Sequence, residues 1–299
     1  MVTGANSGLG FVTARELARA GAHVVMGCRD AARGEEAREL LRRQVRDADV
    51  EVRSLDLASL TSIRTFADSM HADFPALDLL VNNAGVMAIP RQLTEDGFER
   101  QLGTNHLGHF ALTGLLLPTM LGRAGSRVVT VSSTAHKPGR IDFDDLMSER
   151  SYRKWSAYSQ SKLANLLFAY ELQRRLDAAD AHAATTQTIS VAAHPGYAAT
   201  NLQHVGPRME GSRLRELVMS LGNRLFAQSD EMGALPQLYA ATAPDVRGGD
   251  YFGPDGIAEG RGHPKRVDST AASKDRDVAA RLWTLSEELT GVRYTALAA

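Results

Sequence analysis

The sequence predicts an α/β fold: a doubly wound parallel sheet flanked by helices on both faces, in a single domain spanning 1–299. Three observations carry this prediction. Short, β-branched, nearly continuous apolar runs recur along the chain, as strands buried on both faces do. Longer stretches with helical spacing lie between them, so strand and helix alternate. A glycine-rich turn opens the chain immediately before the first helix.

The elements follow in order. Before the glycine turn only Met1 and Val2 are available for a first strand. Leu9, Val12, Leu17 and Ala20 then recur at helical intervals, and Gly21 ends that helix. Strands are predicted at Ala22–Gly27, Val50–Leu55, Leu77–Asn82, Arg127–Ser132 and Thr186–Ala193, with a late one near Asp250–Phe252. Helices are predicted over about 31–46, 59–72, 100–121 and 155–178, and a final one at Asp275–Leu289. The segment 197–230, with Gly206, Pro207 and Gly211, reads as a long substrate loop or lid. Gly248–Pro264 reads as turns around one short strand.

Bulk properties narrow the class. The 299 residues carry a net charge of −1, which calls for neither nucleic acid nor an anionic membrane as partner. Cys28 is the single cysteine, so no intramolecular disulfide forms. The longest apolar stretch, Phe110 to Leu121, is too short to span a bilayer. No targeting segment is visible, and a cytoplasmic protein is the expectation.

The opening Thr3-Gly4-Ala5-Asn6-Ser7-Gly8-Leu9-Gly10 brings three glycines to a helix start, where backbone N–H groups can approach a pyrophosphate. The next strand ends at Cys28-Arg29-Asp30, about 20 residues on, where a Rossmann-type dinucleotide fold reads the ribose. An NAD-binding chain usually places an acid there. Here that position falls on Cys28, and Arg29 beside it can fork onto a 2′-phosphate. NADP(H) is therefore the expected cofactor, with NAD(H) possible. Asp30 pulls against this reading, because its carboxylate could pair with Arg29 or repel a phosphate.

Thr3-Gly4-x3-Gly8-x-Gly10, Asn82-Asn83-Ala84-Gly85, Asn105, Val131-Ser132-Ser133, Tyr158-x3-Lys162 and Pro195-Gly196 occur in that order. Together they resemble the short-chain dehydrogenase/reductase family. Cys28-Arg29-Asp30, Asn105-His106-Leu107-Gly108-His109-Phe110, Ser161-Lys162-Leu163-Ala164-Asn165 and His194-Pro195-Gly196 resemble its retinol-dehydrogenase-like branch. So does an insertion near Lys137–Arg153, which sets Ser133 and Tyr158 25 residues apart. The resemblance implies an oxidoreductase that interconverts a carbonyl and an alcohol.

The chemistry fits those residues. A nicotinamide supplies a hydride, and the protein supplies a proton and a polarised oxygen. A free phenol with pKa near 10 is a poor base at pH 7. Four residues apart on one helix, Tyr158 and Lys162 share a face, and a nearby ammonium favours the phenolate. Tyr158 is thus the expected general acid/base. The resemblance implies that Lys162 also bonds the nicotinamide ribose and that Ser133, rather than Ser132, bonds the substrate oxygen. It implies that Asn105 holds a water linking Lys162 to solvent. It places Gly4, Asn6, Ser7, Gly8, Leu9 and Gly10 on the cofactor, with Asp56 and Leu57 flanking the adenine. Asn83, Ala84 and Gly85 would line the groove, with Pro195, Gly196 and Thr200 near the carboxamide.

Further expectations complete the reading. His106 and His109 have a spacing a metal could use, but no acidic or sulfur ligand stands beside them, so no metal is expected. His194 is expected to shape a loop. Residues of 197–230 (Tyr197, Leu202, Val205, Met209, Leu214, Leu217, Met219), with Phe143, Tyr152 and Trp155, suggest an apolar pocket. Family members usually pair two helices into a four-helix bundle. Leu112, Leu115, Leu116, Leu163, Leu166, Leu167 and Tyr170 would supply that face in a homodimer or homotetramer. They also usually carry more of a first strand, so a native start roughly 10–25 residues upstream is expected, because losing that strand leaves neighbouring backbone groups unpaired. Reduction of an activated C=C bond, and dinucleotide sensing without catalysis, are the competing functions.

Overall fold

The computed structural model describes residues 1–183, 187–197 and 228–297. Eight strands among them form one sheet: β1 (Val2–Thr3), β2 (Val24–Cys28), β3 (Val50–Ser54), β4 (Leu79–Asn82), β5 (Arg127–Val131), β6 (Ile189–Ala193), β7 (Tyr251–Pro254) and β8 (Pro264–Arg266). Their order is β3-β2-β1-β4-β5-β6-β7-β8. All pairs are parallel except β7–β8. The order reverses between β1 and β4, and a crevice opens there at the strand C-termini.

Helices cover both faces. The sheet's pleat sends alternate side chains to opposite sides. Val24, Met26, Val81 and Val129 join one core, with α1 (Gly8–Arg19) and α2 (Ala31–Gln44). Val25, Leu80 and Val128 join the other, with α3 (Leu60–Asp73). The predicted helix 100–121 is divided. A short α4 (Arg100–Leu102) runs into a π-helical turn (Gly103–Leu107), then into α5 (Gly108–Leu116). α6 (Lys154–Ala183) is the long helix of the second face.

Two elements were not anticipated. α7 (Asp230–Thr242) packs on α1 and extends the first core through Ala240 and Ala241. Its Gly233 and the internal Pro236 mask its helical character in sequence. β8 forms from the glycine-rich stretch, closing a hairpin with β7. β1 is only two residues long, yet its neighbours are paired. Met1 O accepts from Val81 N at 3.0 Å, and Gly4 N donates to Gly27 O at 2.8 Å. Met1 N donates to Leu79 O at 2.7 Å. The unpaired backbone groups expected around a shortened first strand are thus not found at these positions.

After a short α8 (Ala271–Lys274), α9 (Arg276–Thr290) packs across α5 and α6. Asp275 caps it by accepting from Asp277 N and Val278 N. Trp283 stacks on Phe168 at 5.8 Å and meets Tyr294 at 4.4 Å, and the Tyr294 hydroxyl donates to Phe110 O at 2.7 Å. Of the residues expected to pair subunits, Leu112, Leu116, Leu163, Leu166 and Leu167 are buried within the chain, and Leu115 and Tyr170 are half-buried. Leu163 and Leu167 pack with Ala279 and Leu282 of α9. Apolar periodicity marks a face to be covered, and at Leu163 and Leu167 a helix of the same chain covers it.

Candidate active site

The crevice is a cleft of about 930 Å³. Of the residues singled out as catalytic or cofactor-binding, all line it except Asn105, which lies behind it, and Thr200, which falls outside the described residues. Residues 198–227 of the predicted substrate loop also fall outside them.

One end is built by the glycine turn. Gly4 and Gly8 have φ of +64° and +57°, a region open to glycine at little cost. A Cβ on Gly10 would lie 2.4 Å from Gly4 O. The turn can therefore pack only as glycine, and it leaves the α1 N-terminus facing the cleft. The Thr3 hydroxyl holds the opposite wall, accepting from Asn83 N and Ala84 N at 2.9 Å each.

Arg29, Asp30 and Arg33 line the cleft at the end of β2. Asp30 is the N-cap of α2, its carboxylate accepting from Arg33 N at 3.1 Å. Its charge is thus engaged with the helix start. Among the described residues, no ion pair engages Arg29 or Arg33. Arg33 was missed in sequence; its position four residues after Arg29, in the first turn of the following helix, was the available signal. Asp56 turns its carboxylate to Ala58 N at 2.9 Å.

The other end holds the residues predicted to be catalytic. Ser133 follows β5 and is a hydrogen-bond partner of the Tyr158 phenol. Both serines line the cleft, but the Ser132 hydroxyl donates to Lys162 O at 2.8 Å, and it is Ser133 that partners the phenol. Tyr158 and Lys162 are both buried on α6. Burial pushes the phenol up to about 12, offset only in part by Ser133. Burial also pushes the Lys162 ammonium down to about 8. The upward phenol shift runs against the expectation that Lys162 favours a phenolate. The reason is geometric: Lys162 Nζ donates to Val131 O at 3.1 Å, and desolvation dominates.

Asn105 sits at the centre of the π-helical turn, an irregularity common at functional sites. Its amide donates to Val86 O and Ser161 Oγ, both at 2.9 Å, and accepts from Val86 N at 2.8 Å. It ties the loop after β4 to α6, directly behind Gly85. Its main-chain carbonyl accepts from His109 Nδ1 at 3.0 Å, so His109 Nε2 accepts from the Thr3 hydroxyl at 2.9 Å. Burial lowers His109 to about 4, which keeps it neutral in that role. His106 Nε2 meets Ser286 Oγ at 3.0 Å. Among the described residues, no three His, Cys, Asp or Glu side chains converge as metal ligands.

The outer cleft is apolar where Met87, Ile89, Trp155 and Tyr197 line it. Phe143 and Tyr152, expected beside Trp155, do not line it. Phe143 packs near Ile141 and Leu146 under the Arg281 guanidinium, 4.0 Å from its ring centroid. The Tyr152 hydroxyl donates to Ile89 O at 2.9 Å, and Gln101 bridges it to Ala88 N. Tyr152 thus supports the cleft wall from behind. Among the described residues, no helix is long and apolar enough to cross a membrane.

Comparison with known proteins agrees with this geometry. Residues 1–210 match the family described as short chain dehydrogenase. Human retinol dehydrogenase 14 is 45% identical, over 98% of this chain and 86% of its own length. Mouse polyprenol dehydrogenase is 43% identical, over 97% and 83%. The crystal structure of a putative uncharacterized protein from Mycobacterium paratuberculosis is similar, with 46% identity, a TM-score of 0.78, and coverage of 98% and 92%. This chain belongs to the short-chain dehydrogenase family, in its retinol-dehydrogenase-like branch, and is an oxidoreductase of CH–OH and C=O groups that uses NAD(P).

Proposed function

We propose that this chain is an NADP(H)-dependent reductase of apolar aldehydes or ketones, working reversibly on the corresponding alcohols, with Tyr158 as its general acid/base. The observation that carries the reading is one continuous cleft. Its Arg29–Arg33 and glycine-turn end fits a phosphorylated dinucleotide, and its other end holds Ser133, Tyr158 and Lys162.

The residues present fit that cofactor. The Gly4–Gly10 turn leaves no Cβ where a pyrophosphate would meet backbone N–H groups. Arg29 and Arg33 would hold a 2′-phosphate, Asp56 and Leu57 would border the adenine, and Gly85, Pro195 and Gly196 would enclose the nicotinamide half. When bound, the nicotinamide supplies the hydride. Ser133 and Tyr158 offer two hydroxyls to one substrate oxygen, which stabilises charge as it develops there. The Tyr158 phenol, kept protonated by burial, donates its proton at Oη to that oxygen in the reductive direction. Lys162, buried beside it, restores the charge balance and would bond the nicotinamide ribose. Asn105 holds the Val86 and Ser161 ends of this arrangement together.

Apolar substrates are favoured by Met87, Ile89, Trp155 and Tyr197 at the mouth. The names of the retinol and polyprenol dehydrogenases support long isoprenoid alcohols or their aldehydes as the first to test. The cofactor preference is tested by kcat/KM for NADPH and NADH with one aldehyde. A native preference for NADH would reject it.

A further inference from the structure

We propose that Glu259, in the turn between β7 and β8, is a positioning residue of the active site: paired with the buried His194, it fixes the Pro195–Gly196 turn that walls the cleft. The proposal rests on reading that cleft as the cofactor site.

His194 follows β6 and is fully buried. Its Nδ1 accepts from Gly196 N at 3.1 Å. The ring hydrogen is therefore on Nε2, which approaches Glu259 Oε2 to 3.0 Å without the alignment of a hydrogen bond. The pocket for the ring is built tightly. Tyr251 flanks it at 5.2 Å, and a Cβ on Gly253 would come within 2.0 Å of Nε2. Gly196 has φ of +65°, and a Cβ there would lie 2.5 Å from Gly260 O and 2.9 Å from Glu259 O. Tyr197 N donates to Gly260 O at 2.7 Å. The β7–β8 turn and the cleft wall thus meet backbone to backbone, and two side-chain links join them among the described residues: Gln228, whose Nε2 donates to Pro195 O at 2.5 Å and whose Oε1 accepts from Gly262 N at 3.2 Å, and the contact of buried His194 with half-buried Glu259.

Glu259 also reaches a second wall. Its Oε1 lies 3.4 Å from Lys137 Nζ, beside Pro138 of the cleft. His136, on the same short turn, holds Ser133 O through Nδ1 at 2.6 Å and meets the Tyr251 ring edge-on at 5.8 Å. The groups facing the carboxylate are therefore His194, Lys137, His136 and Tyr251. One carboxylate connects the Pro195–Gly196 wall with the wall that carries Ser133.

The backbone points the same way. Ala258 and Glu259 have φ of +52° and +57°, a region that side chains avoid. A turn needing only to reverse the chain would favour glycine at both positions. Keeping a carboxylate at a strained position that aims it at a buried imidazole indicates that the side chain is used.

The test is NADPH binding by titration calorimetry on the full chain. The native protein and three variants are compared: Glu259→Ala, Glu259→Gln and Ile257→Ser. Ile257 is the exposed tip of the same turn. Glu259→Ala is expected to weaken binding by about 10-fold, the scale of one lost contact to a charged group. Glu259→Gln keeps an acceptor for His194 and should stay within about 3-fold of native, and Ile257→Ser should bind as native. If Glu259→Ala does not fold, His194→Asn replaces it. The Asn oxygen still accepts from Gly196 N but cannot reach Glu259, so the same loss is expected. Native-like binding in whichever variant cuts the pair, or equal loss in Ile257→Ser, overturns the role of Glu259. A native chain that binds neither NADPH nor NADH overturns the cofactor reading itself.

Discussion

Lys162 Nζ donates to Val131 O at 3.1 Å and stands 5.9 Å from the centroid of the Tyr158 ring. The ammonium is thus buried near the phenol without bonding to it. It is held by one carbonyl that also accepts from Asn165 Nδ2. A charge kept this dry costs stability, and that cost is measurable.

Lys162→Met is expected to stabilise the fold and abolish activity. The folded-state pKa of Lys162 is lowered from 10.5 to about 8. The unfolded chain therefore binds more protons than the folded one between those values, and stability rises with pH across that window. Below about pH 8 both states are charged and the full burial cost applies. Removing the charge should add on the order of 1–3 kcal/mol at pH 7. Denaturant unfolding at pH 7 and pH 10 checks this: the gain should be present at the first and shrink at the second.

Arg29 and Arg33 are expected to share the choice of cofactor. Each change to Ala should lower kcat/KM with NADPH roughly 10- to 100-fold and leave NADH nearly unchanged. Asp30→Ala should not improve NADPH use, because its carboxylate caps α2. Equal losses with both cofactors would show that the two arginines do not read the 2′-phosphate.

His109→Leu should destabilise the fold by about 2–3 kcal/mol, since it leaves the Thr3 hydroxyl and the Asn105 carbonyl buried with one partner fewer. His109→Gln, which carries both a donor and an acceptor, should recover part of that loss. Thermal unfolding of the native chain and the two variants decides it. A His109→Leu melting temperature equal to the native one would mean that the two hydrogen bonds of His109 contribute nothing.

Trp283→Ala should cost about 3–5 kcal/mol, the scale for removing a buried aromatic. Its ring lies between Phe168, Phe110 and Tyr294, where α9 covers α5 and α6. A loss under about 1 kcal/mol in denaturant unfolding would show that this cover is not integral to the fold.

The residues legible in the sequence are those whose backbone or chemical role permits few alternatives. Gly4, Gly8 and Gly10 announce a turn that excludes Cβ, and Tyr158 with Lys162 announces one helical face. Other features depend on what the fold brings together. Arg33 reads as one more charge on a polar helix until Asp30 is seen capping that helix and the guanidinium is seen in the cleft. Tyr152 reads as apolar, yet its hydroxyl supports Ile89. Glu259 lies 65 residues beyond His194 in a glycine-rich stretch, and periodicity does not link them. The leucines of α5 and α6 show that a face is buried, but not that α9 buries it. The π-helical turn at Asn105 is hidden because Gly103 and Gly108 interrupt nothing in the helical spacing.

The central claim is that Tyr158 delivers the proton in an NADPH-dependent carbonyl reduction. The most direct measurement is NADPH oxidation with a panel of apolar aldehydes, ketones and enones, by the native chain and by Tyr158→Phe, with NADPH affinity measured in both. The account predicts turnover of aldehydes or ketones by the native chain. It predicts at least about a 10²-fold lower kcat in Tyr158→Phe, with cofactor affinity unchanged. Near-native turnover in Tyr158→Phe with cofactor still bound, or native activity confined to the C=C bond of enones, would contradict it.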